Sequence, residues 1–317
     1  MIWRTIGLRL LAIVPILFVS SVVVFFTINI IPGHASSAFL GVYQTKQTTA
    51  AFNHRYGLDR PLIVQYWDWA WHAVRGDFGK SLLSEIPVGP QVLSRIPITL
   101  ELALLALLVA LAIGLPLGVV AATRHNKPTD TALSMLGVGG MSVPNFLVAT
   151  LLVLVFSLDL KLVPPGGYVP ITQNVLANLH LMVLPAISLG IVSSTILFRI
   201  MRSSMIEVLE TDYVRTALAK GVSYWVMVVR HALKNALVPF LTVAGIEFSA
   251  LFGGAVIIEQ IFLIPGLGSY VFDGIELRDY FVLQASVMVL TTMVVVANCL
   301  ADVLVILIDP RRATREA

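Results

Sequence analysis

Few residues in this chain have the types and spacing that enzyme chemistry requires. Gly79-Lys80-Ser81 resembles the end of a phosphate-binding loop, but that motif needs a glycine at the position of Val74. The six histidines do not show the helical spacing of a metal-binding pair. Ser142, Ser188 and Ser249 lie in apolar stretches where no histidine falls clearly at matching depth to act as a base. We therefore predict no enzymatic site, and no metal or cofactor bound by this chain itself.

Three polar residues lie inside long apolar stretches, where a charge is costly. They are Glu247, Asn298 and Asp302. Because a polar group facing lipid is expensive, we expect all three to point inward. Glu247 could line a polar pathway between helices, pair with a partner subunit, or lie near the outer exit as a neutral acid. Ser249 and Asn298 are further pathway candidates, whereas Asp302 is expected to pair with a basic residue or a helix end.

The composition places these residues in a membrane protein. Of the 317 residues, 57% are hydrophobic and only 12% are charged, and the mean hydropathy is +0.89. A soluble domain carries about twice that charged fraction. The net charge of +3 gives no reason to expect nucleic-acid binding. The single cysteine, Cys299, excludes an internal disulfide.

Six apolar stretches are long enough to cross a bilayer, which takes about 20 residues. They lie at about 10–31, 98–122, 132–158, 179–200, 236–258 and 281–308. Pro144 and Pro185 fall inside two of them, and membrane helices tolerate proline when neighbours satisfy the freed carbonyl groups. Gly139-Gly140 and Gly253-Gly254 are expected to permit close helix contacts. The sequence thus predicts an all-α polytopic membrane protein with six transmembrane helices.

The basic residues predict the orientation, because Lys and Arg favour cytoplasmic loops. With the N-terminus inside, thirteen basic residues fall on the cytoplasmic side, and the two short outer loops hold only Lys161 and Arg278. Both termini are therefore predicted to be cytoplasmic. The chain then divides into an N-terminal span (1–31), an extracytoplasmic segment (32–97), a five-span core (98–308) and a cytoplasmic tail (309–317). The extracytoplasmic segment carries an aromatic cluster, Trp67, Trp69 and Trp71 with Tyr66, and is expected to form a partly helical cap at the membrane interface.

The cytoplasmic loop at 201–235 is too polar to span the membrane and too patterned to be a simple linker. Thr211 or Asp212 can cap a short helix from Tyr213 to Lys220, which Gly221 would end. From physical chemistry alone, two interpretations are equally supported. The helix could rest on lipid head groups, or it could dock on another protein.

This loop resembles that of a known family. The strings DYVRTALAKG (212–221) and RHALKNALVP (230–239) resemble the EAA loop of ABC importer permeases, in the form found in dipeptide and oligopeptide permeases. The general pattern has Glu-Ala-Ala where this chain has Arg215-Thr216-Ala217, and Pro239 lies farther from Gly221 than that pattern places it. Both departures are ordinary for the peptide-importer branch. Other motifs agree in order along the chain: GDFGKS (76–81), RIPITLEL (95–102), GGAV (253–256), EQIF (259–262), PGLG (265–268), RDY (278–280) and DPR (309–311).

The resemblance covers essentially the whole chain and is strongest to the B-type permease subunit. It implies the type I ABC importer permease fold and an ATP-driven, binding-protein-dependent importer of di- or oligopeptides in the bacterial cytoplasmic membrane. The implied partners are a second homologous permease, two cytoplasmic ATPase subunits that bind ATP and Mg, and an extracytoplasmic substrate-binding protein. The implied ATPase contacts lie on a coupling helix at 212–221: Asp212, Tyr213, Arg215, Thr216, Ala217, Lys220 and Gly221.

Alternatives to peptide import stay open at this point. Relatives within this family move nickel complexes, glutathione or opines, so the cargo is not fixed. A proton-coupled secondary transporter could use Glu247 and Asp302 as proton carriers, although it would normally show an internal repeat in a longer chain. Uptake that depends on ATPase subunits would favour the importer, and uptake that depends on a proton gradient alone would favour the carrier.

Overall fold

A computed structural model describes residues 2–30, 39–40 and 43–308. Its helices are α1 (Ile2–Ile30), α2 (Lys46–Arg55), α3 (Leu62–Ala73), α4 (Val88–Thr123), α5 (Pro128–Met141), α6 (Asn145–Leu152), α7 (Val175–Leu209), α8 (Asp212–Ala219), α9 (Tyr224–Val226), α10 (Leu233–Ile261), α11 (Leu267–Glu276) and α12 (Tyr280–Ile308). Two π-helical segments, Val153–Asp159 and Met227–Ala232, follow α6 and join α9 to α10. The tail at 309–317 lies outside the described residues.

Five of the six predicted spans are continuous helices. The apolar segments Arg9–Asn29, Val88–Thr123, Val175–Leu209, Tyr224–Ile261 and Tyr280–Ile306 are each long enough to cross a membrane. α4 begins well before the predicted start at residue 98, since Pro90 falls in its first turn, where a missing N–H group costs nothing. The prediction of an all-helical, multi-span chain is confirmed.

The third predicted span, over 132–158, is wrong as a continuous helix. Pro128–Met141 and Asn145–Asp159 are separate helical segments that meet at an angle of 99°. Pro144 adopts an extended conformation between them (φ −63°, ψ 142°). Its ring removes a backbone donor and disfavours helical geometry at the preceding residue, so α5 ends there. The segment is a sharply bent pair.

Small residues allow the central helices to approach closely. α7 is the most buried span, and it packs along α4. A Cβ atom added at Gly114 would lie 2.8 Å from the Cβ atom of Leu197, and one at Gly118 would lie 2.6 Å from the Cβ atom of Met201. Such glycines permit tight helix packing in lipid.

One glycine of each predicted pair has the expected packing role. A Cβ atom at Gly140 would lie 2.7 Å from Thr195 Cγ2, and one at Gly254 would lie 2.7 Å from Leu189 Cδ1. Both neighbours belong to α7. Gly139 and Gly253 face open space instead. The prediction of close contacts is therefore confirmed at Gly140 and Gly254.

The first and last spans meet at one end of the bundle. Arg9 of α1 forms an ion pair with Asp302 of α12, which confirms that Asp302 pairs with a basic residue. Gly245 of α10 lies against Ala301 of α12. The start of α10, and α8 before it, therefore lie at the same end. We call this end the α8 end, and the opposite one, where α10 leads into α11, the α11 end.

The described residues of the predicted cap lie at the α11 end, and their extracytoplasmic placement stays a prediction. α2 and α3 supply its helical part. Tyr66 and Trp69 of α3 are buried against Phe25 of α1. The ring centroid of Phe25 lies 5.5 Å from that of Tyr66 and 5.7 Å from that of Trp69. Trp67 and Trp71 point outward and are about 60% exposed. Outward-facing tryptophans are typical of the membrane interface.

Candidate functional site

The loop at the α8 end contains the short helix that the sequence predicts. α8 runs from Asp212 to Ala219, within one residue of the predicted bounds at each end. Thr211 is the residue before the helix, but its hydroxyl group donates to the carbonyl of Val208 at 2.5 Å and so does not cap α8. Gly221 follows with a φ of +86°, a conformation that favours glycine and ends the helix.

α8 is fixed to the bundle by one face. Val214 is 2% exposed and belongs to an apolar cluster with Met227 and Val228, and half-buried Ala217 packs against the same cluster. The hydroxyl of Tyr213 accepts a hydrogen bond from Asn235 Nδ2 at 2.8 Å. This anchoring connects α8 to the π-helical segment that leads into α10.

The opposite face of α8 is available to a partner. The side chains of Asp212 and Arg215 are 98% and 73% exposed. Of the seven coupling residues named from the sequence, six are exposed at this end: Asp212, Tyr213, Arg215, Thr216, Lys220 and Gly221. Trp225 on the neighbouring α9 is 63% exposed, and the sequence analysis did not single it out. The loop therefore presents an amphipathic, rigidly held projection.

The three candidate pathway residues have different environments. Glu247 is half-buried on α10, and its carboxyl group is hydrogen-bonded to Ser193 of α7. Ser249 is 4% exposed and donates to the carbonyl of Gly245 at 3.4 Å. Asn298 is exposed on α12 of the single chain, and its place in a pathway shared with a second permease stays a prediction. Its position on α12 turns it away from the other helices, and sequence periodicity alone does not distinguish the two faces of an apolar helix.

A buried acid at the α11 end joins several of the sequence motifs. Glu259, near the end of α10, is completely buried. Its Oε1 atom accepts a hydrogen bond from Thr99 Oγ1 at 2.6 Å, and its Oε2 atom accepts one from the Ser269 N–H group at 2.9 Å. Thr99 Oγ1 accepts in turn from the Leu267 N–H group at 2.8 Å. The two side chains thus satisfy backbone donors in the first turn of α11.

Glycines allow α11 to reach this acid. A Cβ atom at Gly268 would lie 2.9 Å from Glu259 Oε2, and one at Gly266 would collide with the same carboxyl group. Arg95, one turn before Thr99, donates to the carbonyl of Pro265 at 3.1 Å. The motifs RIPITLEL, EQIF and PGLG, which are far apart in the chain, therefore form one junction among α4, α10 and α11. We call this contact the Glu259 junction.

A second buried acid begins α12. Asp279 is 2% exposed. Its Oδ2 atom accepts hydrogen bonds from Ser81 Oγ at 2.6 Å and from the Leu82 N–H group at 3.0 Å. Its Oδ1 atom accepts from the Val282 N–H group at 3.3 Å. Ser81, which in the sequence resembles part of a phosphate-binding loop, therefore fixes the cap to α12.

A third buried acid lies near the α8 end. Asp130, in the first turn of α5, has a side chain that is 4% exposed. Its two oxygens accept hydrogen bonds from Arg202 Nε at 2.5 Å and Nη2 at 2.8 Å. The His125 ring lies 3.2 Å from Oδ2, and the Asn126 N–H group donates to the same oxygen. This network joins α5 to α7.

The arrangement is suited to mechanical coupling between helices. Glu259, Asp279 and Asp130 each accept several hydrogen bonds from separate elements, so they connect helices rigidly. Across residues 2–30, 39–40 and 43–308, no group of three or more His, Cys, Asp or Glu side chains is placed to hold a metal ion. The sequence showed only the order of these motifs along the chain. It did not show that they contact one another in the folded protein.

Comparison with known proteins gives consistent matches along the chain. Residues 114–314 match the family model "Binding-protein-dependent transport system inner membrane component", and residues 2–103 match the model of the N-terminal part of such components. A putative peptide transport system permease protein of Brucella abortus (strain 2308) is 38% identical over 303 residues, which cover 96% of each chain. The glutathione transport system permease protein GsiC of Salmonella typhimurium (strain LT2) is 36% identical over 302 residues, 95% of this chain and 96% of that one.

Solved structures share the fold at lower sequence identity. An inward-facing structure of the MetNI methionine ABC transporter aligns with a TM-score of 0.56 and 17% identity, covering 68% of this chain and 95% of that one. An amino acid ABC transporter aligns with a TM-score of 0.50 and 17% identity, covering 70% and 94% of the two chains.

Proposed function

This chain belongs to the family of binding-protein-dependent transport system inner membrane components, and on that premise we propose that it forms half of the translocation pathway of an ATP-driven peptide importer. As an ABC importer permease it is a multi-pass protein of the bacterial inner membrane. In the proposed complex a second, homologous permease supplies the other half of the pathway. Two cytoplasmic ATPase subunits bind ATP and Mg, and an extracytoplasmic binding protein delivers the cargo.

Di- and oligopeptides are the proposed cargo. The relatives named above are a putative peptide permease and a glutathione permease, and glutathione is itself a small peptide. Nickel complexes and opines are alternative cargoes for the same kind of transporter. A proton-coupled carrier that uses Glu247 and Asp302 has less support, since Asp302 is engaged by Arg9.

One observation carries the coupling assignment: α8 is anchored on one face and open on the other. Val214 is buried, whereas the side chain of the next residue, Arg215, is 73% exposed. α8 directly follows α7 and leads through α9 into α10. α7 and α10 pack against each other. A movement of α8 with an ATPase subunit would therefore shift α7 and α10 together. Alternating access needs such a rigid connection between the site of ATP binding and the spans.

Charge reversal on α8 tests this assignment. We expect Arg215→Glu to lower ATP-dependent peptide uptake by about tenfold or more. The exposed guanidinium would face the ATPase subunit, and a carboxylate in its place would reverse the charge that the subunit meets at this contact. The matched control is Lys161→Glu, an exposed residue in the loop between α6 and α7 at the α11 end. Uptake is measured in cells that express the whole transporter, with membrane levels checked by immunoblot. Equal uptake by both variants at normal levels would refute the assignment.

Glu247→Gln tests the pathway role separately. If the Glu247 carboxyl group meets the amino terminus of a passing peptide, the variant changes uptake kinetics for peptides with a free amino terminus more than for N-acetylated ones. Unchanged kinetics for both substrate classes would remove Glu247 from the pathway.

A pull-down of the tagged chain in mild detergent tests the complex itself. Recovery of ATPase subunits and a second permease supports the importer, and recovery of the chain alone contradicts it.

A further inference from the structure

Two neighbouring depressions lie where α1, the cap and α12 meet at the α11 end. One is a cavity of about 220 Å³ whose mostly apolar wall includes several charged and amide side chains. The other is an apolar groove of about 730 Å³. Trp69 and Phe78 line both, so the two depressions adjoin at these two rings. Neither depression contains a residue that the transport mechanism above uses.

The groove opens on the outward-facing side of α1 and α3. Phe18, Trp67 and Trp71 line it and are each at least half exposed. A polar group in its lining, Ser21 Oγ, is satisfied by the Tyr66 hydroxyl group at 2.9 Å. In a membrane protein, an apolar surface of this kind faces acyl chains, and its outward tryptophans place it near the head-group level.

The cavity adds charged and amide groups to an apolar wall. Asp68, Asp77 and Gln284 line it together with Arg60 and His72, so two carboxylates face one guanidinium and one imidazole. The His72 Nδ1 atom lies 3.7 Å from Asp68 Oδ1. Arg60 Nη1 lies 4.0 Å from Asp68 Oδ2, and Asp77 uses Oδ1 to accept from the Gly79 N–H group at 3.0 Å. Acceptor capacity therefore remains on both acids.

Gln284 is the second, independent sign of a ligand. Its side chain lies in the wall of the cavity and is only 5% exposed. Within the described part of the chain, its amide group has no hydrogen-bond partner. Polar groups in protein interiors are normally satisfied, and the cavity is the space from which a partner can reach this amide. A bound group in the cavity would supply the missing partner.

We propose that this junction binds a phospholipid whose head group carries a primary ammonium. The ammonium occupies the cavity, where its three N–H donors meet Asp68, Asp77 and the Gln284 carbonyl oxygen. An acyl chain follows the apolar groove past Trp69. Arg75, whose guanidinium group lies 3.9 Å from the centre of the Trp71 ring, supplies positive charge beside the groove for the phosphate. A choline head group has no N–H donor and would leave the three acceptors unmet.

Lipid retention by the purified transporter tests the proposal. The full chain with its co-purifying subunits is extracted in mild detergent and exchanged into nanodiscs of equal phosphatidylethanolamine and phosphatidylcholine. It is then re-extracted, and the bound lipids are quantified by mass spectrometry. We expect phosphatidylethanolamine to be enriched by about tenfold or more, as a charge-assisted hydrogen bond would give. Asp68→Asn and Gln284→Leu should each remove most of this enrichment.

Asp59→Asn is the matched control, because Asp59 lies close to Asp68 in the chain but does not line the cavity. It should leave the enrichment unchanged. Asp68 is 60% exposed at its side chain, so its variant is expected to fold even if the buried Gln284→Leu variant does not. Equal retention of both lipids, or unchanged enrichment in Asp68→Asn, would overturn the proposal. If Asp68→Asn keeps the enrichment but loses binding-protein-dependent uptake, the cavity takes a basic side chain of the docked protein, and the lipid assignment is wrong.

Discussion

Replacing Thr99 by valine removes one hydroxyl group from the Glu259 junction at nearly constant side-chain volume. Two hydrogen bonds are lost: the donation to Glu259 Oε1 and the acceptance from the Leu267 N–H group. A typical hydrogen bond contributes about 1 kcal/mol net, and a buried donor left without a partner costs about 1–3 kcal/mol. Because Thr99 and Glu259 are both 0% exposed, water cannot replace the missing hydroxyl. The free energy of unfolding should fall by about 2–4 kcal/mol.

The assay is chemical unfolding of the purified protein in detergent, followed by tryptophan fluorescence. Thr150→Val is the matched control: Thr150 is exposed on α6, and its hydroxyl donates only within its own helix, to the carbonyl of Phe146 at 2.8 Å. Loss of such a surface bond should change the free energy of unfolding by less than about 0.5 kcal/mol. If Thr99→Val destabilises the protein no more than Thr150→Val, the Glu259 junction does not hold α11 as described.

A double-mutant cycle separates the shared bond from local repacking. Glu259→Gln alone weakens the acceptor side of the junction, and Thr99→Val alone weakens the donor side. Residues in one hydrogen-bond network show interaction energies of about 0.5–3 kcal/mol. Strict additivity of the two losses would mean that Thr99 and Glu259 act independently, against the contact at 2.6 Å.

Three further outcomes follow from the packing and electrostatics. Gly268→Ala should lower the melting temperature, because the new Cβ atom would lie 2.4 Å from the Cα atom of Val256 and 2.9 Å from Glu259 Oε2. Gly253→Ala, in open space, should raise the melting temperature slightly by favouring the helix. Asp130→Ala should cost about 3–5 kcal/mol in the same unfolding assay, since a mostly buried guanidinium loses its partner. Burial, and after it the hydrogen bond to Glu101, raises the pKa of Tyr168. Its contribution to stability should therefore be complete below about pH 10 and be lost as pH rises further, and Tyr168→Phe should flatten this alkaline loss in thermal melts.

Much of the architecture was predictable because a bilayer restricts what a span can be. Runs of about 20 apolar residues in lipid must be helical, so the stretches at 98–122, 179–200, 236–258 and 281–308 were confirmed. The same rule failed at Pro144. A proline in a membrane helix is compatible with a mild kink or with a full break, and only the packing of both halves against α7 selects the break. Helix α8 was predictable from local signals, chiefly Gly221.

The side-chain environments were less predictable than the helices. Glu259 and Asp279 are polar residues in quoted motifs, but nothing local shows that each one receives donors from residues more than a hundred positions away. Asn298 shows a different limit: it is exposed on α12 of the single chain, and its predicted place in the pathway depends on a partner subunit that the sequence of this chain does not describe. Hydrophobicity is informative about depth in the membrane, whereas the direction of a side chain depends on which neighbours a helix acquires.

The pairing of α1 with α12 has a consequence for how the protein is made. α1 precedes the other described spans in the chain, but its main packing partner is α12, and Arg9 and Asp302 are 293 positions apart. During synthesis α1 therefore gains its packing against α12 only after the spans between them have been made. α12 can pack against α1 only once the segments between them have been inserted. A chain that lacks α12 therefore leaves this packing surface of α1 without its partner.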